Sequence, residues 1–504
     1  MRNLLKKLIF FVCISSSLLM PGLSYGQAKV FDFNARCEQA YHQIMMMKTG
    51  EGQRILNEEI RSNPNNLIPY FLENYIDMFT LFFHENKAEY NTSFLNREKR
   101  IKLMQQGPKN SPFYLFTQAM IYEQWGIVKL KYEENISAMW DFRRAYLAAE
   151  ENNKAFPDFS ANKIIMGPMK AMIGTVPSSY RWITNILGFN NGSVNDGIAL
   201  LKSYINDPGN DGGLFKDEAC FYYAYMEFYI AHKPEAAMKF IRDQKLDIVN
   251  NALYAFMAAN LALNDHEAGY GLQVLENMQK GPEYLKMPVL NYEFGTLKLY
   301  HMDLNGAIHY LDIFVNNFKG KFYIKDALSK LSWAYYLQGN MKEAENYRKL
   351  VLTRGNTVVD ADKVALREAK SGQWSDPEIL KARMLMNGGY FKEALQVLRQ
   401  KKIEDYHKLI NKIEYAYFLA RIHDELGNEK EAVQLYEATI KAGADRPEYY
   451  AARSALQLGF IYEKRKDTAI ALNYFRQCLN MNEKEYKSSL DQRAKAGINR
   501  LTIR

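Results

Sequence analysis

The stretch LGNEKEAVQLYEATI, residues 426–440, sets a glycine break ahead of Ala432 and Tyr436, which follow at helical spacing. The same offset from glycine to alanine recurs in GNMKEAENY (Gly339, Ala344) and in GGYFKEALQVL (Gly389, Ala394). A fuller copy, ALQLGFIYEKRKDTAIALNYFRQCL at 455–479, carries Leu458, Gly459 and Tyr462 on a first helix and Ala471, Phe475 and Cys478 on a second. Weaker copies place Ala307, Ala268 and Ala236 at the corresponding point, so the anchors 236, 268, 307, 344, 394, 432 and 471 lie 32 to 50 residues apart. Each copy predicts two antiparallel helices. A small residue midway along both lets the backbones approach, and large residues fill the space around the crossing. Gly or Asn after the first helix suits a left-handed C-terminal cap.

The long interval between Ala344 and Ala394 holds an insertion at about 353–375, where Val364, Leu366 and Ala369 predict a short helix of its own. After the last copy, Tyr486, Leu490, Ala494, Ile498 and Leu501 form one apolar stripe on a polar helix. Such a helix solvates the end of a repeat array. The expected organisation is all-α. A leader occupies 1–26, a less regular helical region with degenerate repeats 27–215, the array 216–482 and a capping helix 483–504.

These copies resemble the tetratricopeptide repeat, a pair of antiparallel helices of about 34 residues. The resemblance implies a superhelical α-solenoid whose inner surface is lined by the first helix of each pair. Carried onto this chain, that surface holds Tyr292, Trp333, Tyr336, Arg383, Tyr417, Arg421 and Arg453. Aromatics towards the middle and arginines towards the C-terminal end suit an extended peptide with acidic groups. The competing expectation is that these side chains pack between neighbouring copies.

The first half is helical too. FNARCEQAYHQIMMMKTGEGQRILNEEIRSNPNN, from residue 33, reads as helix, glycine turn, helix and proline stop, and 111–153 as two long helices carrying Trp125 and Trp140. Residues 166–190 are apolar but broken by Gly167, Pro168, Gly174, Pro177 and Gly188. They are expected either to pack as a buried plug or to touch a membrane surface. Here the apolar glycine-containing run, the proline, Leu187-Gly188-Phe189 and Gly197 leading a helix are similar to the tetratricopeptide repeat protein 39 family. That resemblance spans about residues 35–480 in its order of elements and implies a scaffold or adaptor, with no catalytic residues.

Composition narrows the picture. With 48% apolar and 24% charged residues in 504, the chain is an ordinary folded one, and 14 Pro with 29 Gly are too few for an all-β fold. Arg2, Lys6 and Lys7, the apolar run from Leu8 to Met20, and Ser24-Tyr25-Gly26 predict a cleaved export leader. The protein is therefore expected outside the cytoplasm, periplasmic or secreted, with association with an outer membrane as a further option. The three leader cations leave 62 basic against 57 acidic residues, too mild an excess to indicate nucleic acid. No later run is apolar enough to span a bilayer. Cys37, Cys220 and Cys478 have neither disulfide nor zinc spacing and are expected as separate thiols in helical cores.

No motif nominates catalysis or a cofactor. The eight histidines are scattered, and there is no phosphate-cradling loop or nucleophile elbow. DPGNDGGLFKDE places Asp207, Asp211 and Glu218 at positions one, five and twelve of a calcium loop, though Gly209 and Phe215 stand where ligands are usual. The expected function is a non-enzymatic scaffold for a protein or peptide partner. The alternative is a carbohydrate-handling protein, with aromatics stacking on sugar rings or paired carboxylates cleaving them.

Overall fold

The computed structural model describes residues 28–176, 188–189, 192–207, 209, 212–481 and 485–502. The leader and its cleavage point lie outside the described residues. Among the described residues helices dominate, no strand forms, and the isolated bridge Val30–Asn66 is the only extended pairing. The chain divides into two compact units: residues up to 79 with 91–219, and residues 80–90 with 220–504.

The first unit draws on α1 (Ala35–Met45), α2 (Thr49–Ser62), α3 (Ile68–His84), α4 (Lys87–Ser93), α5 (Asn96–Met104), α6 (Phe113–Lys131), α7 (Asn135–Ala155), α8 (Asn162–Gly174) and α9 (Val194–Asn206). Asn34 starts α1 by accepting from the amides of Arg36 and Cys37, which have no partner within the helix. Helices pair as α1–α2, α6–α7 and α8–α9. Polar nodes hold the second of these pairs. Asp141 on α7, fully buried, receives Lys129 at 2.5 Å, Arg97 at 2.6 Å and Arg144 at 2.9 Å. Asn74 accepts from the Trp125 indole at 2.9 Å and donates to Gln124 at 2.6 Å. In α8, Met166, Pro168, Met169 and Ala171 are buried. Gly197 of α9 meets that helix so closely that a Cβ there would lie 2.4 Å from the Gly167 carbonyl oxygen. Residues 166–171 are thus packed within this unit, Met172 and Thr175 are exposed, and 177–187 and 190 lie outside the described residues.

The second unit continues from α10 (Lys216–Tyr225) through a π-helix (Met226–Ile230) to α11 (Pro234–Asp243), α12 (Ala252–Asn264), α13 (Ala268–Asn277), α14 (Val289–Tyr300) and α15 (Leu304–Asn317). Then follow α16 (Ile324–Leu337), α17 (Met341–Thr353), α18 (Asp360–Ser371), α19 (Pro377–Asn387), α20 (Phe391–Leu398), α21 (Leu409–Glu425), α22 (Glu429–Gly443), α23 (Tyr450–Lys464), α24 (Thr468–Asn480) and α25 (Lys487–Thr502).

One turn closes pair after pair. His266, Met302, Gly339, Gly389, Gly427 and Lys466 all take positive φ. In each case the next amide donates to the carbonyl five residues back, at 2.8–2.9 Å. This is the bond that terminates a helix through a left-handed residue. Five residues beyond the turn comes the crossing: Ala237, Gly271, Ala307, Ala344, Ala394, Ala432 and Ala471, the six alanines all fully buried. The first two correct the sequence register. Ala236 is exposed, and Ala268, though buried, opens α13 rather than crossing it. The cause is local. In these copies histidine (232 and 266) takes the left-handed position that glycine takes at 339, 389 and 427, so no glycine marks the count. The π-helix also lengthens the first turn, so that Lys233 bonds back to Glu227, six residues away. With Ala237 and Gly271 as anchors, the first two intervals become 34 and 36 residues.

The inserted helix α18 is tied to the array at its start. Asp362 accepts from the amides of Tyr323 (2.8 Å) and Asp326 (3.0 Å), capping α16 from outside the pair, and Ala365 and Ala369 join an apolar cluster with Leu328, Leu331 and Leu380. Beyond the insertion, α19–α20 returns onto earlier turns. The Ala268 amide donates to the Gly388 carbonyl at 3.1 Å, and the Tyr390 hydroxyl lies 2.8 Å from His301 Nδ1. A simple stack would join each pair only to its sequence neighbours.

Candidate binding site

The insertion and the last pairs enclose a cleft of about 460 Å³ within the second unit. Its walls come from α16, α17 and α19, from α18 and the strand-free segment after it, and from the starts of α21, α23 and α25. Arginines lie on aromatic rings around it. The Arg348 guanidinium is 4.8 Å from the Trp374 ring centre, Arg383 4.9 Å from Trp333, and Arg367 3.9 Å from Tyr486. A guanidinium held flat on a ring keeps its in-plane N–H groups for a second partner. Arg383 uses one of them on Glu368 at 3.0 Å, and Arg446 forks onto Glu448 at 2.8 and 3.0 Å. Arg367 and the exposed Lys408 make no salt bridge among the described residues, although the Arg367 charge acts on the nearby Glu485 carboxylate of the same cleft. At the cleft wall Glu414 is buried, and that burial raises its carboxyl above the usual range although Ser375 and Tyr450 donate to it. The cleft is therefore more positive than its count of carboxylates suggests.

The seven residues expected on one inner surface do not share one setting. Trp333 and Arg383 line the cleft. Tyr336 stands behind it, stacked on Trp374 at 4.5 Å with its hydroxyl on the Ser375 carbonyl. Tyr292 and Tyr417 belong to the apolar clusters, Tyr292 donating to Asp326 at 2.6 Å. Arg421 is buried and pairs with Glu425 at 3.1 Å, and Arg453 lies over Tyr449. Sequence reasoning missed Arg348, Arg367, Trp374, Tyr449 and Tyr486. Two of these sit in the insertion, which a repeat template skips, and the arginine-on-ring pairs join residues 26 to 119 positions apart.

In the calcium-loop candidate, Glu218 turns into the first unit, accepting from Tyr75 at 2.8 Å and Tyr41 at 3.3 Å. Asp207 accepts from the Gly209 amide in its own turn, and Asp211 lies outside the described residues. Among the described residues no three His, Cys, Asp or Glu side chains converge to hold a metal ion. None of the described helices is long and apolar enough to cross a membrane.

Residues 413–442 and 452–485 match the tetratricopeptide repeat family. These are the pairs α21–α22 and α23–α24, whose crossings are Ala432 and Ala471, so this part of the chain carries tetratricopeptide repeats within an all-helical array. Among solved structures it is similar to the Cut9–Hcn1 hetero-tetramer of the APC/C, at 10% identity over 93% of this chain and 99% of that one, with a TM-score of 0.26. It is also similar to yeast Tom70, at 12% identity over 93% and 96%, with a TM-score of 0.23. No curated protein matches the chain.

Proposed function

We propose that the chain is an exported, non-enzymatic scaffold of a bacterial envelope that holds an acidic segment of a protein partner in the cleft of its second unit. The observation that carries this reading is the set of arginines laid on rings around one cavity, with Arg367 and Lys408 outside any salt bridge among the described residues. Carboxylates forked by such guanidinia gain strength and fixed geometry, and the rings hold the cations at little entropic cost. Export rests on the leader pattern of residues 2–26.

Sugar stacking has less to stand on. Trp374 is already covered by Tyr336 stacked at 4.5 Å and by Arg348 at 4.8 Å, which leaves less of its ring for a sugar. Arg383 covers a face of Trp333. The test is titration calorimetry of the mature protein with hexaglutamate. Binding that weakens with salt and falls about tenfold or more in Arg367→Glu or Lys408→Glu is expected. Binding untouched by either substitution, or preserved binding of a neutral oligosaccharide instead, would sink the proposal.

A further inference from the structure

We infer, building on the reading above, that the inserted helix α18 decides the form of the ligand, so that the cleft accepts a short or terminal acidic segment and rejects a strand running through it. A repeat array by itself offers a continuous channel along its first helices. Here α18 is fastened at one end by Asp362 on the start of α16 and by Ala365 and Ala369 in the apolar cluster. From its other end Arg367 reaches the Tyr486 ring, in the segment leading to the capping helix. Glu368, the next residue, holds Arg383 on the opposite wall. The insertion thus ties the first-helix wall to the C-terminal wall, across the line an extended peptide would take.

Size agrees with this. About 460 Å³ falls in the range of pockets for compact ligands, roughly 300–1,000 Å³, rather than of an open groove. The return of α19–α20 onto the 266 and 301 turns is a second sign that the array is not a through-channel at this point.

The experiment compares two probes on the full mature chain: tetraglutamate, and a longer peptide with the same four glutamates between Gly/Ser flanks. The unaltered protein should bind tetraglutamate about tenfold more tightly than the flanked peptide, a difference worth about 1.4 kcal/mol. Replacing 360–371 by a Gly/Ser linker should bring the two affinities close to parity. Because that variant removes the Asp362 cap and is at risk of misfolding, Tyr486→Ser serves as a second one. It leaves the anchor of α18 intact and should lower the ratio in the same direction, with circular dichroism confirming unchanged helix content. If the unaltered protein binds both probes equally, or if both folded variants keep the full preference, the inference fails while the proposed function stands. If neither probe binds, the acidic-segment reading itself falls.

Discussion

The two units hold their helices together by different means. In the second, pair after pair crosses at a fully buried small residue set five positions past a left-handed turn. The bond that closes the turn has nearly the same length in six pairs. In the first, the pair α6–α7 is organised around a buried carboxylate with three cations and a buried amide chain from Trp125 through Asn74 to Gln124. A small-residue crossing gains by close packing, tolerates variation around it and can be copied along a chain. A buried charge must have all its partners at once or it destabilises. The repeat unit is therefore periodic, and the other unit is particular.

The largest effect that would sharpen this contrast is at Asp141. Asp141→Asn leaves Lys129, itself 1% exposed, without its carboxylate and should cost about 3–5 kcal/mol in urea unfolding. A loss under about 1 kcal/mol would mean the node is a by-product of packing. In the array, Ala471→Leu should cost about 1–3 kcal/mol by overpacking. The corrected register predicts the same for Ala237→Leu, and a change of no more than about 0.5 kcal/mol for Ala236→Leu, one residue away and exposed. Equal effects at 236 and 237 would refute that register.

A pH experiment probes the exception inside the repeat unit. Glu293 is 1% exposed, accepts from Asn260 at 2.7 Å, and burial pushes its carboxyl up to about 8. Folded, it keeps its proton up to that pH, whereas an unfolded glutamate loses it near about 4.3. Its contribution is complete below the unfolded value and is lost as pH rises through 8. Glu293→Gln keeps an acceptor for Asn260 and should gain about 1–3 kcal/mol over the native chain at pH 8.5, but not at pH 4. Thermal melts at the two pH values decide it, since parallel curves would show an ionised Glu293. A purely backbone effect is expected at Gly427, where φ is +76° and a Cβ would meet nothing within 4 Å. Gly427→Ala should cost about 1 kcal/mol, purely from the backbone. A larger loss would reveal a packing role that the turn does not show.

Legibility followed the same division. The later crossings, Ala307 to Ala471, and the glycines that precede three of their helices could be counted along the chain, because helix period and turn length are local properties. The count slipped at 236 and 268, where histidine takes the left-handed position and a π-helix lengthens the first turn. The inner-surface template included Trp333 and Arg383, which the fold brings into one cleft, and also Tyr417, which the apolar cluster absorbs at 2% exposure. A template of positions within one pair cannot see which neighbouring pair will cover a side chain.

By itself, then, the order of small, aromatic and glycine residues determined that this chain folds as a stack of antiparallel helix pairs, since those choices act within about 35 residues. Tertiary structure alone decided where the candidate cleft lies. Arg367 lies on Tyr486 and Arg383 on Trp333 in a fold whose insertion is fastened by Asp362 to the start of α16. No local rule of spacing places a guanidinium on a ring 119 residues away, and the cavity between them exists only once both walls are packed.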